Sequence, residues 1–423
     1  MTNAAPTFVE PSLAEVDPEI HSVIEREEAR QGSVLEMIPS ENYASRAVIE
    51  AVGSVLTNKY AEGYPGARYY QGNDIVDEAE NLARDRATAL FGFDHANVQP
   101  HSGTQANMAV YLGLMKPGDT VMGLQLDAGG HLTHGHAVNA SGKLYNFVAY
   151  GVDRETETVD YNAMLALAKE HRPKLIVVGA TAYPRQFDFP RARAIADEVE
   201  AVLMVDMAHI AGLIAGGAHP SPAGIAQVVT TSTHKTLRGP RGGMVICDAN
   251  FARRVDRGVF PGSQGGPMMH VIAAKAVMLR EAATPAFQEY ARQTVENARV
   301  LAETLEGAGL RLVSGGTETH LVLVDVTPLG LVGNVAATAL EAAGIVTNYN
   351  TIPFDPQPPT IGSGVRMGTP ALTTRGMRTD EMRRVGTLIA QALEAHEDPT
   401  ALANIRDQVS QLCEAFPAPG LPH

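Results

Sequence analysis

Residues 230–243 read TTSTHKTLRGPRGG, a polar segment that ends in glycines and follows the apolar stretch IAQVV. The chain has seven lysines, and one of them, Lys235, lies in this segment directly after a predicted buried strand. Three interpretations compete: a solvated surface lysine, the lysine of a phosphate-binding loop, or a lysine that forms a Schiff base with an aldehyde cofactor. The phosphate-loop interpretation fails, because His234 and Val229 occupy positions where that motif requires glycine. The cofactor interpretation depends on whether other segments meet the cofactor's remaining needs.

Short apolar runs on both sides of this segment predict the fold. Runs in which apolar and polar residues do not alternate strictly are typical of strands in a parallel sheet that helices cover on both faces. Beyond about residue 285, two segments in which apolar and polar residues alternate lie on either side of a Gly-Gly turn, and they predict a smaller α+β domain. The sequence therefore predicts an α/β protein with an N-terminal helical arm (1–30), a large domain (31–285) and a small C-terminal domain (286–423). The runs that predict strands of the large domain are KLIVVGA, AVLMVDMA, QVVTTST and GGMVIC.

Composition restricts the class of protein. The 423 residues are 45% hydrophobic, which allows a sizeable core and argues against general disorder. The formal net charge of −14 argues against nucleic acid or an anionic membrane as the main partner. Cys247 and Cys413 are too few and too far apart for a disulfide framework, and no signal peptide or membrane-spanning run is recognised. We therefore expect a cytoplasmic protein.

Two segments match the needs of pyridoxal 5′-phosphate, an aldehyde cofactor that lysine binds. Ser102, Gly103 and Thr104 lie between a predicted strand and a predicted helix, where free backbone N–H groups favour the phosphate. Ordinary helix capping is the alternative for this segment. Asp206 follows the apolar run AVLMV, and there it would keep the cofactor's pyridine nitrogen protonated. A carboxylate that ends a buried strand would otherwise be unpaired and costly, which favours this role.

A third segment, AGGHLTHGH at residues 128–136, offers a surface for the cofactor ring. His131 would stack its flat ring on the cofactor. The segment also contains His134 and His136, which raises the alternative of a metal site. The irregular spacing, with no HExxH pattern and no cysteine pair nearby, argues against that alternative. We therefore predict no metal.

From IPSENYASRAV to TPALTTRGM the chain resembles the serine hydroxymethyltransferase family of fold-type I pyridoxal phosphate enzymes. The resemblance implies a large domain with a mostly parallel seven-stranded sheet between helices, and a smaller C-terminal domain. It also implies pyridoxal 5′-phosphate as cofactor, and the interconversion of serine and glycine with tetrahydrofolate as co-substrate. The blocks that carry it are LTNKYAEGYPGARYYQGN, ANVQPHSGTQAN, GGHLTHG, VDMAHIAGL, TTSTHKTLRGPRGG, VFPGSQGGPMMHVIAAKAV and GVRMGTPALTTRGM.

The resemblance assigns roles around the cofactor. Lys235 would hold the cofactor covalently, Asp206 would pair with its ring nitrogen and His131 would stack on the ring. The phosphate would be bound by Ser102, Gly103 and Thr104. The other residues implied at the cofactor are His209 and Thr181 on the side of the phenolic oxygen, and Ser232 and His234 beside the lysine.

The resemblance also assigns the amino-acid and folate sites. Arg366 would clamp the substrate carboxylate, a bidentate task that lysine performs poorly, with help from Ser40 and Tyr70. Glu62 would exchange a proton near the substrate hydroxyl, where a pKa raised by burial would help. The residues implied at the folate are Glu62, Tyr69, Leu126, Gly130, Leu132 and Asn350.

Some implied site residues belong to a neighbouring subunit in the family. These are Tyr60, Glu62, Gly265 and Gly266, which reach the site of the adjacent copy. The resemblance therefore implies a homodimer or a homotetramer with composite sites.

Several positions depart from the family pattern. Ala128 replaces a common histidine, Ser232 a threonine, Thr181 a serine and Pro39 an alanine, while Gly224 lies where proline is frequent. Neutral drift is one explanation. Smaller side chains at positions 128 and 232 would also admit a methyl group on the substrate's central carbon. That makes α-methylserine hydroxymethyltransferase, with alanine as product, an alternative activity.

Other functions are further alternatives. A folate-independent aldolase would cleave β-hydroxy amino acids with the same lysine, and the folate-side residues argue against it. An aminotransferase fits the order of the motifs less well. A catalytically idle scaffold would have no need to keep Lys235, Asp206, His131 and Arg366 together.

Overall fold

The structure is a computed structural model, and it describes residues 10–421. Within these residues the strands, in chain order, are β1 Leu35–Glu36, β2 Gly63–Tyr64, β3 Ala67–Arg68, β4 His95–Asn97, β5 Thr120–Leu124, β6 Asn146–Tyr150, β7 Leu175–Val178, β8 Val202–Asp206, β9 Val228–Ser232, β10 Gly243–Cys247, β11 Arg311–Leu312, β12 Leu321–Asp325, β13 Ile345–Val346, β14 Asn348–Asn350 and β15 Gly364–Gly368. The α-helices of the same part of the chain are α1 Leu13–Val16, α2 Pro18–Ser33, α3 Arg46–Val52, α4 Asp74–Phe91, α5 Gly103–Leu114, α6 Ala140–Leu144, α7 Tyr161–His171, α8 Phe189–Glu198, α9 Ala211–Ala215, α10 Ala249–Val259, α11 Met269–Ala282, α12 Pro285–Gly307, α13 Gly333–Ala342, α14 Pro370–Thr374, α15 Thr379–Glu394 and α16 Pro399–Ala415.

A seven-stranded sheet with the order β4-β10-β9-β8-β7-β5-β6 organises the first unit. Strands β6, β5, β7, β8 and β9 run parallel to one another, and β10 is antiparallel to both β9 and β4. The predicted mostly parallel sheet is thus confirmed, and four of its strands, β7 to β10, match the apolar runs. Strands β5 and β6 were not predicted. Since β9 and β10 are adjacent and antiparallel, the segment that contains Lys235 is the connection between them.

A smaller antiparallel sheet with the order β11-β12-β15-β14 organises the second unit. Gly315 and Gly316, with φ of 68° and 130°, form the predicted turn between β11 and β12. Strand β1 pairs with β13, and Leu35 and Met37 pack into the core of this second unit. We therefore propose a division in which the segment around β1 joins the C-terminal unit.

Helix α12 connects the two units. Phe287 and Tyr290 near its start belong to the core of the first unit, while Leu301 and Leu305 further along belong to the core of the second. The helix thereby fixes the position of one unit relative to the other. In residues 10–421, none of the helices combines the length and the apolar composition needed to cross a membrane.

Helices α5 and α10 approach closely because each contains a glycine at the crossing. A Cβ at Gly258 would overlap the carbonyl oxygen of Ala109, and a Cβ at Gly113 would overlap that of Arg254. Backbone atoms there cannot give way as the end of a flexible side chain would. The two glycines therefore set the distance between α10 and the helix that follows the predicted phosphate segment.

We expect Gly258→Ala to lower the free energy of unfolding by about 2 kcal/mol or more, because the methyl group forces the two helices apart. Gly307→Ala is the matched control, since nothing lies within 4 Å of a Cβ added there. That change should be neutral or stabilising by about 0.5–1 kcal/mol, owing to alanine's higher helix propensity. Thermal unfolding of both variants under identical conditions measures the difference, and equal midpoints would contradict the prediction.

Candidate active site

A cavity of about 390 Å³ lies beyond the carboxyl ends of β7, β8 and β9. Ligand sites of open α/β sheets commonly lie at this edge. The residues that line the cavity are Ser40, Glu41, Ser102, Gly103, Thr104, Asn107, His131, Ala180, Thr181, Asp206, Ala208, His209, Ser232, His234, Lys235 and Arg241. The fold thus brings together eleven of the residues predicted from the sequence.

Lys235 is one of the residues that line this cavity. Its carbonyl oxygen accepts hydrogen bonds from Arg238 N (3.1 Å) and Asn42 Nδ2 (3.0 Å), which fix the backbone of the turn. Desolvation lowers the pKa of the amine to about 8, against the opposing effect of Asp206 and with further lowering by Arg366 and Arg241. A substantial neutral fraction therefore exists at mildly alkaline pH, and the neutral amine is the form that attacks an aldehyde.

Asp206 ends β8 with its carboxylate paired. Its Oδ2 accepts a hydrogen bond from Asn107 Nδ2 (2.8 Å) and lies 3.1 Å from His134 Nε2, and its Oδ1 accepts one from Ala208 N (3.1 Å). Burial alone raises the pKa of Asp206, but the interactions with His134 and Asn107 outweigh it and hold the pKa well below its usual range. The expectation that this carboxylate would be unpaired without a cofactor is therefore wrong. The carboxylate is preorganised in the anionic form.

His131 is held by contacts that define its tautomer. Its Nδ1 accepts a hydrogen bond from Thr133 N (3.1 Å) and lies 2.7 Å from Thr133 Oγ1. Burial lowers its pKa to about 4, so the ring is neutral at neutral pH. Asn107 Nδ2 donates to Thr133 Oγ1 (2.8 Å) as well as to Asp206, and therefore links the ring to the carboxylate.

Three further histidines at this edge are uncharged. His209 and His320 stack with 5.5 Å between ring centroids, and 3.3 Å separates His209 Nδ1 from His320 Nε2. Burial lowers the pKa of His209 and lowers those of His320 and His234 to about 3. His209 Nε2 is buried and has no partner among the described residues, as expected of an atom that awaits a polar group of a ligand.

Arg366 comes from the second unit and is oriented by two hydrogen bonds. Its Nε donates to Asn348 Oδ1 (2.9 Å), a residue directly opposite it on β14, and its Nη1 donates to the Thr181 carbonyl (2.8 Å). Burial lowers its pKa to about 10, which leaves it charged at neutral pH. No hydrogen bond from Nη2 is found in residues 10–421, so this part of the guanidinium is available to a ligand carboxylate.

The start of α5 offers anion-binding amides. Ser102 caps this 12-residue helix, and its Oγ accepts from Gln105 N (3.2 Å). In the described part of the chain, no partner is found for the N–H groups of Gly103 and Thr104, which line the cavity. These amides, the amine of Lys235, the anionic Asp206 and the buried ring atom of His209 together fit pyridoxal 5′-phosphate.

A second group of predicted residues does not line this cavity. Tyr60 Oη lies 2.9 Å from Glu62 Oε1, the rings of Tyr60 and Tyr70 pack edge to face at 5.0 Å, and Gly265 and Gly266 lie beside them. Half of Tyr60 is exposed, at 51%. This group is therefore separate from the cavity around Lys235. The remaining predicted residues outside the cavity lining are Tyr69, Leu126, Gly130, Leu132, Asn350 and Arg366.

The positions that depart from the family pattern also form two groups, those that line the cavity and those that do not. Thr181 and Ser232 line the cavity, whereas Ala128 packs in the core of the first unit and does not line it. Pro39 and Gly224 do not line it. Among the described residues, no cluster of His, Cys, Asp or Glu has the arrangement of a metal site.

The sequence analysis missed residues that support the predicted ones. His134 was considered only as a metal ligand, but it interacts with Asp206. Asn107 lies within the quoted HSGTQAN segment, one helical turn after Gly103, and that spacing was the available signal. Asn348 has no comparable local signal.

Comparisons with known proteins agree with this geometry. A family model described as serine hydroxymethyltransferase matches residues 13–389. A serine hydroxymethyltransferase of Myxococcus xanthus is 60% identical over 406 residues, which cover 96% of this chain and 97% of the relative. One of Koribacter versatilis is 59% identical over 406 residues, 96% of this chain and 95% of the relative. One of Acidobacterium capsulatum is 56% identical over 409 residues, 97% of this chain and 96% of the relative.

Proposed function

This chain belongs to the serine hydroxymethyltransferase family, and we propose that it interconverts serine and glycine with pyridoxal 5′-phosphate and tetrahydrofolate. One observation carries the proposal. The desolvated amine of Lys235 lies in a cavity where the charges of Asp206 and Arg366 both act on it. These three residues supply an attachment point, a counter-charge for a ring nitrogen and a carboxylate clamp.

The chain's own residues would hold the cofactor as follows. When bound, pyridoxal 5′-phosphate withdraws electrons from the central carbon of an amino acid. Asp206, anionic and oriented by Asn107 and His134, would keep a proton on the ring nitrogen. The amides of Gly103 and Thr104 would bind the phosphate, and Lys235 would hold the aldehyde carbon.

Substrate binding would use the second unit. Arg366 is charged, oriented by Asn348 and Thr181, and has Nη2 free for a carboxylate. Ser40 lines the cavity around Lys235 and would donate a hydrogen bond to that carboxylate. Because the nearby histidines are neutral, Arg366 does not compete with them for the substrate's negative charge.

We assign Glu62 to the cavity of a second copy of the chain. Glu62 and Tyr60 form a hydrogen-bonded group outside their own chain's cavity, which supports a homodimer or a homotetramer with composite sites. There Glu62 would exchange the proton of the substrate hydroxyl, and the group with Tyr69, Leu126, Gly130, Leu132 and Asn350 would contact the folate. Cys247 and Cys413 are buried free thiols, which supports a reducing compartment such as the cytoplasm.

We expect serine to be turned over faster than α-methylserine, and both only when tetrahydrofolate is present. Thr181 and Ser232 line the same cavity, so the methyl group gained at one position, relative to the family pattern, offsets the one lost at the other. Ala128 packs in the core of the first unit and does not line the cavity. Formation of glycine and alanine from the two substrates, with and without tetrahydrofolate, measures both preferences.

Ser232→Thr is the control for that experiment. A methyl added to the wall should disfavour α-methylserine over serine by a further factor of about ten. If the unaltered protein prefers α-methylserine, it is an α-methylserine hydroxymethyltransferase. If it forms product without folate, it is a folate-independent aldolase.

The rate at which the cofactor-free protein captures pyridoxal 5′-phosphate should rise with pH, reach half its maximum near pH 8 and level off about one pH unit higher. Only the neutral amine attacks the aldehyde, and desolvation lowers the pKa of Lys235 to about 8 from the ordinary 10.5. Stopped-flow absorbance at a series of pH values measures the rate. A rate that still rises steeply at pH 10 would indicate a lysine with an ordinary pKa.

In Lys235→Ala, borohydride reduction should leave no cofactor attached to the chain.

Arg366→Lys should raise the dissociation constant for serine about 10–100-fold, because an ammonium cannot bind a carboxylate through two parallel N–H groups. The cofactor's absorption spectrum should stay unchanged. Spectral titration with serine measures the constant. Arg383→Lys is the control, since Arg383 is exposed and its ion-pair partner within residues 10–421 is Asp380 on its own helix. Loss of the cofactor from the Arg366 variant would place this residue in a different role.

A further inference from the structure

Lys275 is a buried cation that the proposed chemistry does not use. It lies on α11, is 1% exposed, and donates hydrogen bonds to three carbonyl oxygens. Its Nζ lies 2.7 Å from Val98 O, 2.9 Å from Pro100 O and 2.8 Å from Gly243 O. Within residues 10–421 its hydrogen-bond acceptors are these three carbonyls, and no carboxylate is among them. Buried lysines without a partner carboxylate are rare, because removing an ammonium from water is costly.

The three acceptors indicate the charge state of Lys275. Burial lowers its pKa to about 7, with a smaller opposing effect of Glu80. An ammonium has three N–H donors, which match the three carbonyls, whereas a neutral amine has two and would leave one carbonyl unsatisfied. The geometry of the hydrogen bonds therefore favours the cation.

Two of the three carbonyls belong to the backbone that leads into the proposed phosphate site, and the third belongs to the strand that packs against it. Val98 and Pro100 lie between the end of β4 and Ser102, and Gly243 begins β10. Gly243 N also donates to Pro100 O (3.0 Å), so the two segments are joined directly as well as through Lys275. A Cβ at Gly243 would overlap the Ser102 carbonyl, which shows how closely β10 packs against the start of α5.

We propose that Lys275 is a positioning residue for the cofactor's phosphate: it fixes the backbone before Ser102 and adds a buried positive charge behind the amides of Gly103 and Thr104. The inference rests on the proposed function, because it assigns a phosphate to the start of α5. Lys275 itself does not contact the cofactor. Its charge acts through the protein interior, where solvent screens it little.

A purely structural role for Lys275 has a different consequence. If it only stabilised the fold, its removal would weaken the binding of any ligand of the cavity to a similar degree. If it serves the phosphate, its removal weakens pyridoxal 5′-phosphate selectively and leaves pyridoxal, which has the same ring and aldehyde without the phosphate, nearly unaffected. The ratio of the two dissociation constants separates the roles.

The test is a titration of the cofactor-free, full-length protein with pyridoxal 5′-phosphate and, separately, with pyridoxal. Lys275→Met removes the charge and the donors at similar volume. We expect its dissociation constant for pyridoxal 5′-phosphate to rise roughly tenfold, the usual size of a partly buried charge interaction with an anion at a helix start. The constant for pyridoxal should change less than about twofold. Absorbance of the bound aldehyde measures both.

Arg375→Met is the matched control. Arg375 is also a buried cation held by backbone carbonyls, including those of Phe416 (2.6 Å) and Cys413 (3.0 Å), but it lies in the second unit. Its loss should lower stability and leave both dissociation constants unchanged. Where either methionine variant fails to fold, glutamine at the same position provides the same comparison.

Equal weakening of both ligands by the Lys275 change, or no change for either, would overturn the inference. Selective loss of pyridoxal 5′-phosphate affinity in the Arg375 variant would overturn it too, because the effect would then not depend on the place of the cation. Failure of the unaltered protein to bind either ligand would instead contradict the proposed function.

Discussion

The buried carboxylate of Asp206 is the constraint on which the rest of the site depends. An anion at the end of a central strand is tolerated only with partners, and Asn107 and His134 supply them from α5 and from the loop after β5. Thr230 Oγ1 in turn donates to Asn107 Oδ1 (2.6 Å), which orients the amide and links neighbouring strand ends. The positions of Asn107, His134 and Thr230 are therefore coupled, because all three contribute to the hydrogen bonds that stabilise one negative charge.

The electrostatics of the cavity follow from that arrangement. Burial lowers the pKa values of His131, His209 and His234, which line the cavity and stay neutral, while Lys235, Arg241 and Arg366 supply positive charge there. A neutral ring can stack on or hydrogen-bond to a ligand without changing the charge balance. Lys235 lines the cavity and belongs to the first unit, whereas Arg366 belongs to the second unit. The amine and the carboxylate of a bound amino acid would therefore be recognised by groups from different units.

Part of this organisation could be predicted from the sequence. Lys235 and Asp206 each follow an apolar run, and the ends of neighbouring parallel strands meet at one edge of a sheet. Ser102 to Thr104 lie where a predicted strand gives way to a predicted helix, and this local pattern was enough to predict a phosphate site. The interactions of Asp206 with Asn107 and with His134 join residues 99 and 72 positions apart, and no local pattern encodes contacts of that range. Strand β14 has only three residues, all polar, so the orientation of Arg366 by Asn348 was not foreseeable.

Because helix α12 contributes to both cores, the chain has no obvious point at which it could be cut into two folded halves. Its first turns fill one core and its later turns fill the other, without an intervening loop. A cut before the helix would strip Phe287 and Tyr290 from the first core, and a cut after it would strip Leu301 and Leu305 from the second. We expect neither half to fold alone, and a fragment of this protein to be a poor building block for fusion or domain shuffling.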